Sequence, residues 1–258
     1  MKNYKLIQQI KLLKELLVED PEKALDRLKK LPGINNVKES DDEDRYEITM
    51  LLGDVYYYNY RFKDAIDFFE KALKNPKCKD KFTCYYRLGD CCFEADDYYK
   101  SIEYYKKALS RKKDISIDTL SKICHGLAMD YLNLKKTKVA LTYYKKIVVM
   151  CKKLQNELQI DLHHNAIYRI ATCYWKLGDI NNADKYFKIT LTLPDIAPWI
   201  LANNYATKGH WLFERKQWKE AIKHYKEAIK IADSKEDKKY WKKYINSCNK
   251  ALEKEKNG

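Results

Sequence analysis

Glycine and proline are scarce in this chain. Only 7 glycines and 5 prolines occur among 258 residues, too few for the many tight turns of a β-sandwich or β-barrel. Residues that favour helices, such as Lys, Leu, Glu, Ala and Ile, are abundant instead. The composition therefore excludes a turn-rich β architecture and predicts an all-α protein.

The sequence also lacks a long apolar run. A membrane-spanning helix needs about 18 or more apolar residues in succession, and charged residues interrupt every such stretch, including residues 1–17. We therefore expect neither a signal peptide nor a membrane anchor. Without an export signal, the eight cysteines are expected to be reduced thiols in the cytoplasm.

Patterns typical of metal sites and enzymes are missing as well. The pairs Cys91-Cys92 and His163-His164 are adjacent, whereas zinc-binding pairs are separated by two residues. Cys78 and Cys84 lack a second pair at ligand spacing. No phosphate loop, nucleophile elbow or metalloprotease motif is present. The sequence predicts no catalytic residues, no metal, no cofactor and no enzymatic activity.

One pattern occurs five times along the chain. It consists of a small residue preceded in most copies by Leu or Ile, a small residue twelve positions later in most copies, and an aromatic ring four positions after that. The small residue that opens each copy, called the marker here, is Gly53, Gly89, Ala128, Ala171 and Gly209. A small marker lets a second helix approach closely, and a ring one turn beyond the second small residue fills the space between neighbours.

These copies resemble the tetratricopeptide repeat family over about residues 46–234. The resemblance implies a right-handed superhelical solenoid of antiparallel helix pairs, with about five full repeats. Lys208 departs from the usual Leu before the marker, Cys92 from the Tyr that the family has three residues after it, and Ser101 from the Ala twelve residues after it. The markers are 36, 39, 43 and 38 residues apart, longer than the minimal 34-residue unit. Long repeats of this kind are similar to those of Rap-type peptide-pheromone receptors.

The segments that flank the repeats have their own patterns. In residues 1–45, residues 3–31 resemble a degenerate helix pair in which Asp20 caps a helix that starts at Pro21. A loop with the acidic run 39–44 follows. At the other end, residues 235–258 predict a polar C-terminal capping helix.

The resemblance also implies a concave groove lined by the first helix of each pair. Its groove positions carry amides, aromatic rings and arginines, a mixture that suits an extended peptide. We predict that Asn133, Asn165 and Asn203 bind peptide backbone and that Arg87 and Arg169 bind anionic groups. The predicted ligand-binding residues are Tyr57, Tyr86, Arg87, Asn133, Asn165, Tyr168, Arg169, Trp175, Asn203 and His210.

The function predicted from these observations is a cytoplasmic, non-enzymatic scaffold that holds a peptide or protein segment in its groove. The net charge of +14 and the 22 tyrosines favour a second hypothesis, an RNA-binding helical array. A third is a structural subunit that associates through exposed rings such as Tyr58, Tyr99 and Trp199. The oligomeric state stays open.

Overall fold

A computed structural model shows an all-α chain. It describes residues 9, 12–13, 15–17, 19–30, 42–78, 80–111, 115–151 and 157–257. Every regular element in these ranges is a helix, as the composition predicts. The chain divides into two compact units, unit 1 at residues 1–116 and unit 2 at residues 117–258.

Five helices of unit 1 are described over their full length. They are α1 (Pro21–Lys29), α2 (Asp42–Tyr58), α3 (Phe62–Lys74), α4 (Lys81–Glu94) and α5 (Tyr98–Arg111). The helices α2 and α3 pack as a pair, as do α4 and α5, and α3 packs on α4. The Asp20 carboxylate accepts a hydrogen bond from the Lys23 amide at 3.0 Å, so the predicted cap of α1 is confirmed. Most of the predicted helix before Asp20 and the loop 31–41 lie outside the described residues.

The acidic run before the first full repeat differs from the prediction. The sequence suggests a polar loop through residue 44, but α2 begins at Asp42. The end of the acidic run is therefore part of the helix.

Seven helices lie in the described residues of unit 2, 117–151 and 157–257. They are α6 (Ile117–Asn133), α7 (Thr137–Cys151), α8 (Glu157–Lys176), α9 (Ile180–Leu191), α10 (Pro198–Glu214), α11 (Trp218–Ile231) and α12 (Lys235–Asn257). The pairs α6–α7, α8–α9 and α10–α11 each pack as a hairpin, and α12 packs on α11 as the predicted capping helix. Its Trp241 and Cys248 are buried in the terminal core.

The marker positions explain why the helices of a pair lie so close together. A Cβ atom added to Gly89 would lie 2.6 Å from the ring of Tyr105, and one added to Gly209 would lie 2.9 Å from Tyr225. At Gly53 the corresponding contact is with Phe69 at 2.5 Å. Such separations are well inside van der Waals contact. The predicted pairing of a small marker with a bulky ring is confirmed.

The turns between paired helices share one backbone conformation. The residue seven positions after each marker has a positive φ, between 59° and 78°, at Tyr60, Asp96, Lys135, Gly178 and Lys216. Only one of these five is glycine, the residue that adopts this left-handed region without steric cost. The turn geometry is therefore imposed by the packing of the hairpin and not by local sequence preference.

Candidate functional site

The first helices of unit 2 are joined by side chains across their shared surface. Asn165 Nδ2 on α8 lies 3.2 Å from His125 Nε2 on α6, and the hydroxyls of Tyr168 on α8 and Thr207 on α10 are 2.8 Å apart. These contacts define the first-helix surface of unit 2, formed by α6, α8 and α10. It contains seven of the ten predicted ligand-binding residues.

The pairing of His125 and Asn165 depends on a neutral imidazole. Burial, together with the nearby positive charge of Arg169, lowers the pKa of His125 to about 4. A neutral His125 can accept the hydrogen bond from the Asn165 amide nitrogen. The Asn165 Oδ1 atom is then left buried without a hydrogen-bond partner.

Arg169 follows Asn165 by one helical turn on the same face of α8. No ion pair with an acidic side chain is found for it in the described part of the chain, and its buried Nε atom has no hydrogen-bond partner. Its guanidinium carbon lies 5.4 Å from the centre of the Tyr168 ring. A buried donor that stays unpaired costs about 1–3 kcal/mol. Arg169 therefore has a donor that could bind an additional acceptor.

The repeat register explains a third unpaired atom, the hydroxyl of Tyr144. In two other hairpins the same ring hydroxyl bonds the residue after the marker: Tyr105 donates to Asp90 at 2.7 Å, and Tyr225 lies 2.7 Å from His210 Nδ1. In the third hairpin that residue is Met129, a weak acceptor. The Tyr144 hydroxyl is fully buried and has no partner.

We call Tyr144, Asn165 and Arg169 the unpaired polar cluster. The three side chains lie around His125, whose ring centre is 6.1 Å from that of Tyr144. The cluster offers a donor and an acceptor from Tyr144, an acceptor from Asn165 and a cationic donor from Arg169. Such a set can bind a peptide amide and a carboxylate side by side.

The predicted arginine of unit 1, Arg87, has an acidic partner. Arg87 on α4 forms an ion pair with Asp54 on α2, with an Nε–Oδ1 distance of 3.2 Å. The charges of Asp54 and Asp90 raise the pKa of Arg87 against the opposing effect of burial. Arg87 is thus neutralised within unit 1, whereas Arg169 is not neutralised within the described part of unit 2.

The predicted tyrosines of unit 1 pack mainly against other rings. Tyr57 contacts Phe62 with ring centres 5.7 Å apart, and Tyr86 stacks on Phe82 at 6.4 Å. Both are half-buried. They remain partly accessible beside the ion pair of Arg87.

Of the four remaining predicted residues of unit 2, His210 contacts the Tyr225 hydroxyl at 2.7 Å, and the other three are exposed or bonded elsewhere. Asn133 is exposed at the end of α6. Trp175 Nε1 donates to Glu214 at 3.2 Å, and Asn203 Nδ2 donates to the Trp199 carbonyl at 2.8 Å. The structure therefore brings Asn165, Tyr168 and Arg169 together and leaves these three apart from them.

Two residues of this arrangement are missing from the predicted site. His125, at a groove position, orients Asn165, and Tyr144 contributes its hydroxyl. The signal for Tyr144 lies in the repeat register, because Met129 stands where its equivalents are polar. No comparable signal marks the pairing of Arg87 with Asp54.

Other kinds of site receive no support in the described ranges. No group of three His, Cys, Asp or Glu side chains there could hold a metal ion. None of the helices described is long and apolar enough to cross a membrane. A cavity of about 490 Å³ lies among α9, α10 and α11 and is lined by residues that include Asp184, Lys208 and Trp211.

Comparison with known proteins gives the family. Two segments match tetratricopeptide repeat profiles, residues 82–115 and residues 164–188. The first covers α4 and α5 almost completely, and the second lies on α8 and α9. These matches show that the chain contains tetratricopeptide repeats, and solved tetratricopeptide structures share its fold.

Solved structures with this fold include three regulators or repeat proteins. The apo form of RapI has a TM-score of 0.70 at 16% identity, covering 90% of this chain and 65% of that one. The apo quorum sensor NprR from B. thuringiensis has a TM-score of 0.73 at 17% identity, covering 93% and 68%. YrrB, described as a tetratricopeptide protein with an unusual peptide-binding site, has a TM-score of 0.54 at 18% identity, covering 82% and 98%.

Two curated relatives are longer proteins. Response regulator aspartate phosphatase A of Bacillus subtilis is 24% identical over 211 residues, which cover 75% of this chain and 54% of that protein. The human intraflagellar transport protein 88 homolog is 21% identical over 149 residues, covering 58% and 17%. The chain thus spans about half of one relative and less than a fifth of the other.

Proposed function

We propose that this chain is a non-enzymatic scaffold that binds a peptide or an extended protein segment on the first-helix surface of unit 2. The observation that carries the proposal is the unpaired polar cluster of Tyr144, Asn165 and Arg169. Buried polar groups are nearly always paired in folded proteins. Asn165 and Arg169 lie on this surface, Tyr144 packs against His125 from α7, and a ligand that pairs with these neighbouring groups would account for all three.

The chemistry of the cluster defines the ligand. Asn165 Oδ1 accepts from a backbone N–H, and the guanidinium of Arg169 binds a carboxylate, from an acidic side chain or a chain terminus. Tyr168 supports Arg169 through its ring. The ligand is therefore an acidic peptide.

The comparisons are consistent with this proposal. An NprR structure is described as a complex with its cognate peptide NprX, and a Rap regulator of plasmid pLS20 as a complex with the Phr* peptide. The comparisons give the RNA-binding alternative no support. One relative is named a phosphatase. We nevertheless propose that this chain has no enzymatic activity and that it acts in the cytoplasm.

A peptide-display selection followed by calorimetry tests the proposal. Random peptides are selected on the whole chain, and the affinity of the selected peptides is measured for wild type and variants. We expect acidic peptides, and we expect Arg169→Gln to weaken binding by about tenfold to a hundredfold, since a hydrogen bond to a charged group contributes about 1.5–3 kcal/mol. Asn165→Ala should weaken it as well.

Arg87→Gln is the matched control, because Arg87 already has an acidic partner in unit 1. Its affinity for the selected peptides should equal that of wild type. The proposal fails if Arg169→Gln and Asn165→Ala both bind like wild type. Retardation of RNA in a gel shift that persists at physiological salt would favour the RNA-binding alternative instead.

A further inference from the structure

Two sulfur atoms lie close to the Cys84 thiol in unit 1, and none of these residues belongs to the peptide proposal. Cys84 Sγ on α4 lies 3.7 Å from Cys78 Sγ in the preceding loop and 3.6 Å from Met50 Sδ on α2. Cys84 is fully buried, whereas Cys78 and Met50 are half-buried. The Tyr46 hydroxyl lies 3.9 Å from Cys84 Sγ.

The distance between the thiols distinguishes two possible uses of such a pair. A disulfide joins its sulfurs at about 2.05 Å, far shorter than 3.7 Å. A metal ion at about 2.3 Å from each of three sulfurs in a plane separates those sulfurs by about 4 Å. The separations of Cys78 and Met50 from Cys84 lie close to that value, and binding of the ion would bring Cys78 and Met50 to a similar distance from each other.

We propose that Cys78, Cys84 and Met50 form a binding site for a soft monovalent cation, Cu(I). Two thiolates and a thioether are the ligands that select Cu(I) over harder ions. Zinc would need a fourth ligand, and Asp80 is already engaged, because its carboxylate caps α4 through the Thr83 amide at 3.1 Å. The cluster therefore fits three-coordinate Cu(I) better than tetrahedral zinc.

A thiol must lose its proton to bind a metal ion, so the protonation of Cys84 matters for this site. Burial and the neighbouring Cys78 raise the pKa of Cys84 to about 12, so the free thiol is protonated at neutral pH. Binding of Cu(I) displaces the protons of both thiols, and the site then carries a single negative charge. The Tyr46 hydroxyl can donate to the Cys84 thiolate, and the N-terminal turns of α4 also favour negative charge there.

We expect an ion to enter the site at Cys78, in the loop between α3 and α4. Cys78 is the partly exposed member of the cluster, and it precedes α4 by three residues. An ion can first meet Cys78 and then reach Cys84 and Met50 behind it. This site and the unpaired polar cluster lie in different units, so either proposal can fail without the other.

Anaerobic titration of the whole chain with Cu(I) tests the site. Excess glutathione is present, because it removes Cu(I) from isolated thiols. We expect wild type to retain one Cu(I) per chain, and Cys78→Ser and Cys84→Ser to lose it. Tyr46→Phe should weaken binding by about tenfold, as the loss of a second-shell hydrogen bond does. X-ray absorption should show sulfur ligands only.

Cys248→Ala is the control, since it removes a buried thiol from unit 2. Circular dichroism checks that each variant folds, and Met50→Leu probes the site without removing a thiol if Cys84→Ser does not fold; it should lower the affinity for Cu(I). The inference is overturned if Cu(I) is not retained by wild type. It is also overturned if retention is unchanged in both Cys78→Ser and Met50→Leu, or if the ligands are nitrogen or oxygen.

Discussion

At the scale of single residues, one aromatic ring decides how much room each marker has. The ring of Tyr105 would lie 2.6 Å from a Cβ atom at Gly89. Gly89→Ala should therefore lower the free energy of unfolding by about 1–3 kcal/mol, the usual cost of overpacking. Urea denaturation measures it. In a Tyr105→Leu background the same change should cost less, and equal costs in both backgrounds would contradict this packing explanation.

A second residue-scale prediction concerns the pH dependence of stability at Asp90. Burial raises the pKa of Asp90 to about 6, although Tyr105 and Arg87 both favour its ionised form. The unfolded Asp has a pKa of about 3.9. Between these values the folded state holds more protons than the unfolded state, so this contribution to stability is lost as the pH rises from about 4 to about 6.

We expect Asp90 to lower the unfolding free energy by about 2 kcal/mol across that window. Urea denaturation at pH 4.5 and pH 7 measures the change in wild type and in Asp90→Asn. The decline should be smaller in Asp90→Asn by that amount. Identical pH profiles would show that Asp90 titrates normally in the folded protein.

At the scale of the helical hairpin, the left-handed turn position offers a stabilising substitution. Lys216 has a φ of 59°, which disfavours a side chain, and the equivalent Gly178 has 78°. Lys216→Gly should raise the unfolding free energy by about 0.5–1 kcal/mol, because relief of the backbone strain exceeds the added freedom of the unfolded chain.

Lys226→Gly, at an exposed position inside α11, is the control and should cost about 1 kcal/mol. Thermal denaturation monitored by circular dichroism compares the two variants. Equal losses in both would mean that the turn does not impose the left-handed conformation. Gly178→Ala should destabilise, although a Cβ atom there would meet no neighbour within 4 Å.

The hairpins could be predicted from the sequence, but the partners of several side chains could not. Markers, rings, turns and the cap at Asp20 follow from spacing along the chain, because helical periodicity places residues on a face. The ion pair of Arg87 and Asp54 joins residues of different hairpins, and its existence depends on how those helices pack. The same is true of the contact between Asn165 and His125. For the same reason, the sequence alone does not show that Arg87 has an acidic partner and that Arg169 has none among the described residues.

At the scale of the whole molecule, ligand binding should affect the two units differently. A selected acidic peptide should slow amide hydrogen exchange in α6, α8 and α10, because it pairs polar groups on their shared surface. Exchange in α2 and α4 should change less. Mass spectrometry resolves the two units, and equal protection of both would contradict the assignment of the peptide site to unit 2.

The hydroxyls of buried rings bond to polar residues next to the markers, so a residue of the interior influences which polar groups the first helix of each repeat exposes. Tyr105 and Tyr225 each hold the polar residue after the marker, while Phe69 and Phe187 at equivalent positions carry no hydroxyl. A Tyr-to-Phe exchange hardly alters volume, yet it releases or captures a polar group on the first helix. Binding preference in such a chain can thus drift through core mutations alone, with every surface residue unchanged.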